Sequence, residues 1–238
     1  PDPQREKKGQ AMTPYYQDDY VTLWHGDCLE HPEWWTGADV LVTDPPYGIG
    51  WTGIATMYTA TNRAITIRQP DISGDKDTAV RDAALTLWGR RPAAIFGSWK
   101  ADRPAGVTHR LIWDKRGMAP GPANCAFMTA DEEIYILGSG WRRSAPPERS
   151  VIATSEPRSL EVQKIGHPTP KPLGLMTRIL TRAPDGLIAD PFAGSGSTLV
   201  AAKALGRRAV GVELEERYCE IAARRLAQDV LDFSGGAA

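Results

Sequence analysis

Residues 187–213 read LIADPFAGSGSTLVAAKALGRRAVGVE. A short apolar run, Leu187–Ala189, leads through Asp190 into a turn holding Gly194 and Gly196, then into a helix-compatible run, Ser197–Leu205. Gly206 stands where such a helix ends, and a second β-branched run, Ala209–Val212, closes on Glu213. The glycines let the backbone turn sharply and approach a ligand closely. Ser197 and Thr198 occupy the place of a helix N-cap, an end that favours an anionic group. Glu213 follows Gly194 by 19 residues, near the ~20 at which an acid meets a ribose hydroxyl in dinucleotide-binding units. The stretch therefore predicts a strand–loop–helix–strand site for a nucleotide-like ligand. No lysine follows the glycines, so it is not a P-loop. NAD and S-adenosylmethionine both fit, since both offer a ribose diol to Glu213.

Outward from this unit, strand-like and helix-like segments alternate, which predicts an α/β fold with a mostly parallel sheet. The strand candidates are Val21–Leu23, Val40–Thr43, Ala93–Phe96, Arg110–Trp113 and Ile134–Leu137. Helices are expected near Thr78–Trp88, Pro172–Thr181 and Glu215–Val230. In the last, Tyr218, Ile221, Ala222, Leu226 and Val230 recur on one face. One domain over 20–232 is expected, flanked by an arm at 1–19 and a tail at 233–238.

Composition is that of an ordinary globular chain: 238 residues, 42% apolar and 24% charged. No apolar run approaches the ~18 residues of a membrane helix, and the opening PDPQREKKGQ lacks the apolar core of a secretory leader. Cys28, Cys125 and Cys219 are scattered, without CxxC spacing. They suggest neither a disulfide framework nor a metal site, which fits a reducing cytoplasm. With a net charge of −1, any attraction to nucleic acid must be local.

Two segments resist the α/β alternation. Residues 48–77 are too long and polar for an ordinary connection, and loops of that length usually carry function. Residues 138–172 hold six Lys or Arg against three Glu, so that stretch is locally basic.

The remaining signal is VLVTDPPYGIGW, residues 40–51. A buried strand ends by planting a carboxylate, Asp44, and an aromatic ring, Tyr47, on a double-proline corner. Pro45 and Pro46 each fix φ and lack an N–H, and each restricts the residue before it. Asp44 and the Pro45 carbonyl are thus held as a preorganised pair of hydrogen-bond acceptors.

With DPPYG at 44–48, HPTPKP at 167–172 and DPFAGSGST at 190–198, the chain resembles the β group of DNA amino-methyltransferases. Weaker anchors are HGDCLE at 25–30, IFGSW at 95–99, LIWDK at 111–115 and ADEEIYILG at 130–138. The resemblance spans roughly residues 20–230. It implies a Rossmann-like class I methyltransferase fold with a circularly permuted motif order, and S-adenosyl-L-methionine as cofactor.

The resemblance also implies roles. Asp190, Phe192, Gly194, Gly196 and Ser197 would line the methionine half of the cofactor, with Thr169 and Lys171 closing over its carboxylate. Glu213 would hold the ribose, and Asp27 would lie near the adenine ring. Asp44 would face both donor and target, with Pro45, Pro46 and Tyr47 completing the catalytic corner. An exocyclic amine is a poor nucleophile because its lone pair is delocalised into the ring. Hydrogen bonds to Asp44 and the Pro45 carbonyl would favour a pyramidal nitrogen, and Tyr47 would stack on a base extruded from the helix. Trp51, Tyr58, Arg63 and Arg68 in the first odd segment, and Trp141, Arg142, Arg143, Arg149 and Arg158 in the second, are the expected DNA contacts.

Asp at the head of the tetrapeptide favours adenine N6 over cytosine N4 as the target atom. An RNA or protein-amide methyltransferase, an NAD-dependent oxidoreductase and a non-catalytic DNA-binding module are the competing readings. The partner expected is DNA, with a homodimer as the assembly known among relatives and neither membrane nor metal required.

Overall fold

The computed structural model describes residues 12–50, 74–116, 126–127, 129–144, 146–154 and 170–228, and the backbone of two strands at 54–58 and 64–68. In chain order the strands are β1 Tyr16–Gln17, β2 Val21–His25, β3 Val40–Thr43, β4 Ile54–Tyr58 and β5 Ala64–Arg68. They continue as β6 Ala93–Gly97, β7 Val107–Asp114, β8 Asp131–Leu137, β9 Val151–Ala153, β10 Ile188–Asp190 and β11 Ala209–Glu213. The α-helices are α1 Ala79–Trp88, α2 Leu173–Arg182, α3 Ser197–Ala204 and α4 Glu216–Ala227.

Nine strands form one sheet in the order β1-β2-β11-β10-β3-β6-β8-β7-β9. β2, β11, β10, β3 and β6 run parallel, and β8 runs antiparallel to both β6 and β7. The expected mostly parallel α/β sheet is therefore present.

Side chains alternate across the pleat, as a sheet covered on both faces requires. Val40 and Val42 of β3 enter one core with Leu175, Ile179, Leu199, Ala222 and Leu226, from α2, α3 and α4. Leu41 enters the other core, with Trp35 and with Ala84 and Trp88 of α1. Trp35 and Trp88 stack there with ring centroids 6.1 Å apart.

The chain leaves β10 through α3 toward β11, and leaves β3 through α1 toward β6, on opposite sides of the sheet. β10 and β3 are neighbours, with Ala189 opposite Leu41. The strand order thus reverses between them, and a crevice opens at their carboxyl ends, where α/β sheets bind ligands.

The first odd segment is not a structureless loop. β4 and β5 form an antiparallel hairpin separate from the main sheet. Its base is closed by the buried Asp75, whose carboxylate accepts the Gly48 N–H at 2.8 Å and whose carbonyl accepts the Gly50 N–H at 2.7 Å. Gly48 has φ +73°, and a Cβ there would lie 2.4 Å from the Asp77 carbonyl carbon. Only glycine fits that contact.

Candidate active site at the carboxyl edge of the sheet

Asp190, the last residue of β10, is buried in the crevice. Its Oδ1 accepts the Thr43 hydroxyl at 2.7 Å and the Phe192 N–H at 3.2 Å. Burial pushes its carboxyl up to about 6, against the opposing effect of the Thr198 and Thr43 hydroxyls. Glu213 ends β11 on the far side of the glycine turn and is 8% exposed. Its two oxygens accept the Gly194 and Glu215 N–H groups, each at 2.7 Å. Burial raises this carboxyl to about 7.

The cap of α3 falls one residue earlier than the sequence suggests. Gly196, in left-handed conformation at φ +77°, is the N-cap, and Ser197 opens the helix. A Cβ on Gly196 would also stand 3.0 Å from that of Ala222, so the turn is pressed onto α4. From α4, Arg225 donates to the Ser195 carbonyl at 2.5 Å and approaches the Ser195 and Ser197 hydroxyls at 3.2 and 3.4 Å. Arg225 thus braces the turn from beneath, a role no local spacing announces. Asp27 Oδ1 accepts the Leu29 N–H at 2.8 Å, the Asx-turn geometry of a cap.

Asp44 follows β3 directly, beside Asp190. Its carboxylate accepts the Tyr47 hydroxyl at 2.8 Å and, on the other oxygen, the Lys171 ammonium. The same Tyr47 hydroxyl lies 3.0 Å from Glu132, and the same ammonium 3.4 Å from it. Lys115 pairs with the other Glu132 oxygen at 2.5 Å. Lys171 also sits over the rings of Phe96 and Tyr47, at 5.0 and 5.6 Å. Two carboxylates and two ammonium groups are interleaved around one phenol. Burial raises the Asp44 carboxyl; Lys171 opposes that shift and Glu132 adds to it. Tyr47 is pushed well above its ordinary range by burial and by both carboxylates.

Glu132 and Lys115 were not among the residues singled out by sequence. Glu132 joins this cluster because β8 is antiparallel, so its first residues lie at the edge where β3 and β6 end, and Lys115 follows the end of β7, which pairs there with the start of β8. The motifs ADEEIYILG and LIWDK carry them, but nothing in their spacing points at Asp44.

The same reversal moves other expected contacts away. β8 ends at Leu137 on the opposite edge, opposite Ala93 at the start of β6. Trp141 is half-buried there, its indole N–H donating to the Leu137 carbonyl at 3.0 Å. Arg142 donates its backbone N–H to the Arg182 carbonyl at 2.8 Å and pairs with Asp185. The structure thus separates both residues from Asp44, and the physical reason is strand direction. Arg143 and Arg149 are exposed on the way back to β9. Trp51, Arg63, Arg158 and Thr169 lie outside the described residues, as do the side chains of Tyr58 and Arg68. Trp99, just past β6 on the Asp44 edge, is 61% exposed.

Among the described residues no group of His, Cys, Asp and Glu is arranged to hold a metal ion, and no helix is long and apolar enough to cross a membrane.

A family model for N6/N4 methylases, described as "DNA methylase", matches residues 99–224. Type II methyltransferase M2.MboI of Moraxella bovis is 48% identical over 257 aligned residues, covering 90% of this chain and 91% of that protein. The chain belongs to the N6/N4 DNA methylase family. The methylase is also 30% identical to the putative methylase YubD of Escherichia coli K12, over 90% of this chain and 93% of YubD. Among solved structures, the M1.HpyAVI–SAM complex superposes with a TM-score of 0.60 at 20% identity, covering 87% of this chain and 99% of that one. The cytosine-N4-specific PvuII DNA methyltransferase gives 0.61 at 16%, covering 92% and 90%. The fold is that of class I methyltransferases.

The methyl donor of the family is S-adenosyl-L-methionine, and the crevice suits it. Glu213 offers a buried carboxylate beside the glycine turn, each oxygen keeping a lone pair beyond its backbone bond. The turn at 193–196 has no side chain bulkier than Ala or Ser, and its Gly196 conformation excludes any Cβ without strain.

Proposed function

We propose that this methylase transfers a methyl group from S-adenosyl-L-methionine to the exocyclic N6 of adenine in DNA, on a base extruded from the duplex. The observation that carries the reading is the position of Asp44: it directly follows β3 at the reversal of strand order, one residue after the Thr43 that bonds Asp190. The amine acceptor and the cofactor turn thereby share one crevice. Asp190, Phe192, Gly194, Gly196 and Ser197 line the donor side, and Glu213 holds the ribose.

The donor supplies an electrophilic methyl on a charged sulfur with its leaving group already in place. The chain's own residues orient the other reactant. Asp44 and the Pro45 carbonyl accept the two amino hydrogens and expose the nitrogen lone pair. Such positioning accounts for roughly 7–11 kcal/mol of barrier in well-oriented systems. A stacked duplex hides the amine, so the base must leave the stack. Tyr47 gives it a ring face, and the exposed Trp99 with Lys100 beside it marks the adjoining edge as the DNA-facing surface.

Adenine is favoured because the tetrapeptide begins with Asp. The names of its relatives, type II methyltransferases such as M2.MboI, support a modification role on DNA. The test is methylation of mixed-sequence DNA with labelled donor, followed by hydrolysis and mass analysis of the nucleosides. N6-methyldeoxyadenosine is the expected product. N4-methyldeoxycytidine would replace the adenine reading with the cytosine one, and labelled protein or RNA with unlabelled DNA would overturn both.

A further inference from the structure

We propose that Glu132 is a positioning residue for methyl transfer: it takes the Tyr47 hydroxyl and the Lys171 ammonium from Asp44 as the target amine arrives there. The proposal rests on the reading of Asp44 as the amine acceptor. As the site stands, both Asp44 oxygens are engaged, one by Tyr47 and the other by Lys171. Each oxygen keeps a second acceptor position, but the amine gains the full charge of the carboxylate only by displacing one of these partners. Left without another acceptor, a buried hydroxyl or ammonium would oppose that displacement. Both partners already touch Glu132, at 3.0 and 3.4 Å. Neither needs to travel; each only shortens a contact it has.

Lys115 makes this possible by pairing with the other Glu132 oxygen at 2.5 Å, which holds that carboxylate in place. The balance of charge is two against two: Asp44 and Glu132 facing Lys171 and Lys115. With glutamine at 132, the cluster carries one excess positive charge. Lys171 then stays on Asp44, and the acceptor remains occupied.

Glu132 also acts on Asp44 at a distance. Among the described residues, the groups facing Asp44 are Lys171, Tyr47, Glu132 and, from β10, Asp190. Of these, Glu132 raises the Asp44 carboxyl by like charge and Lys171 lowers it. Removing the charge at 132 therefore moves Asp44 toward ordinary carboxylate values. A residue that merely supported the fold would leave that titration in place.

The experiment compares wild type, Glu132→Gln and Glu132→Asp in single-turnover methyl transfer to DNA from pH 5 to 8, with donor affinity measured separately. For Glu132→Gln the expected result is a rate lower by about 10–100-fold, the worth of one charge-assisted hydrogen bond. Its acid limb should move to lower pH, and donor affinity should hold within a few fold. Glu132→Asp, which keeps the charge, should recover part of the rate with the acid limb in its wild-type place. If Glu132→Gln does not fold, Glu132→Asp alone decides: an acid limb displaced there, although the charge is kept, overturns the proposal. So does a Glu132→Gln rate equal to wild type, or a loss of rate with the acid limb unmoved. An inactive Asp44→Ala beside a wild-type Glu132→Gln removes this proposal only, whereas an active Asp44→Ala removes the reading it rests on.

Discussion

Replacing Lys171 with methionine keeps an unbranched stem of nearly the same length while deleting the charge and its contact with the Phe96 ring. Asp44 and Glu132 are left facing each other across Tyr47, with Lys115 as the remaining cation of the cluster. The Lys171–Glu132 contact at 3.4 Å corresponds to about 5 kcal/mol at an effective dielectric of ~20. Breaking such a pair from one side typically costs about 3–5 kcal/mol. The site can escape part of that cost by protonating Asp44, already raised by burial and now without its opposing ammonium. The sign follows from proton linkage. A carboxyl whose folded value lies above its unfolded value binds more protons in the folded state, so stability falls as pH rises through that window. Lys171→Met widens the window upward. The variant should therefore be nearly as stable as wild type at pH 5 and less stable by about 3 kcal/mol at pH 8. Its acid limb for methyl transfer should move to higher pH. Denaturant titrations at the two pH values and a rate profile measure both. A destabilisation equal at pH 5 and 8, with an unchanged acid limb, would refute the electrostatic coupling.

Glu213 carries the same sign by a different route. Its carboxyl is raised from 4.5 to about 7 by burial, so its share of stability declines by about 3 kcal/mol between those pH values. Glu213→Gln should flatten that decline in denaturation curves at pH 5 and 8, and should weaken donor binding by about tenfold or more for the lost acceptor. Trp35→Ala empties a fully buried site and leaves the Cys28 carbonyl without its indole donor; a loss of about 3–5 kcal/mol in chemical denaturation is expected, with methyl transfer per folded molecule unchanged. Gly48→Ala forces a side chain into left-handed backbone against Asp77, about 1–2 kcal/mol of strain at the hairpin base. DNA affinity in a filter-binding titration should fall several-fold while donor affinity holds.

The unit from Leu187 to Glu213 was readable because its runs are unambiguous: apolar β-branched stretches flank a turn that only small residues tolerate. The structure places β10, α3 and β11 where that pattern puts them, displaced by one residue at the Gly196 cap. Val40–Thr43 was equally plain, since a strand buried on both faces is apolar throughout. The hairpin of β4 and β5 escaped notice because its strands are only five residues each within a polar stretch, and because its closure depends on Asp75, which is distant in sequence from Gly48. β1 and β9 have two and three residues, too few to show any periodicity.

The larger gap concerns direction. Nothing local tells whether Ile134–Leu137 runs with its neighbours or against them. That one unknown decides that Glu132 joins Asp44 and that Trp141 and Arg142 leave it. Strand orientation is set by long-range pairing, which a single sequence does not display.

Methyl transfer by Asp44→Ala, followed in a single turnover with labelled S-adenosyl-L-methionine and DNA, bears most directly on how the amine is held. Transfer should fall by several orders of magnitude while equilibrium binding of the donor stays within a few fold of wild type. An alanine variant that labelled DNA at close to the wild-type rate would mean that the target nitrogen is activated elsewhere.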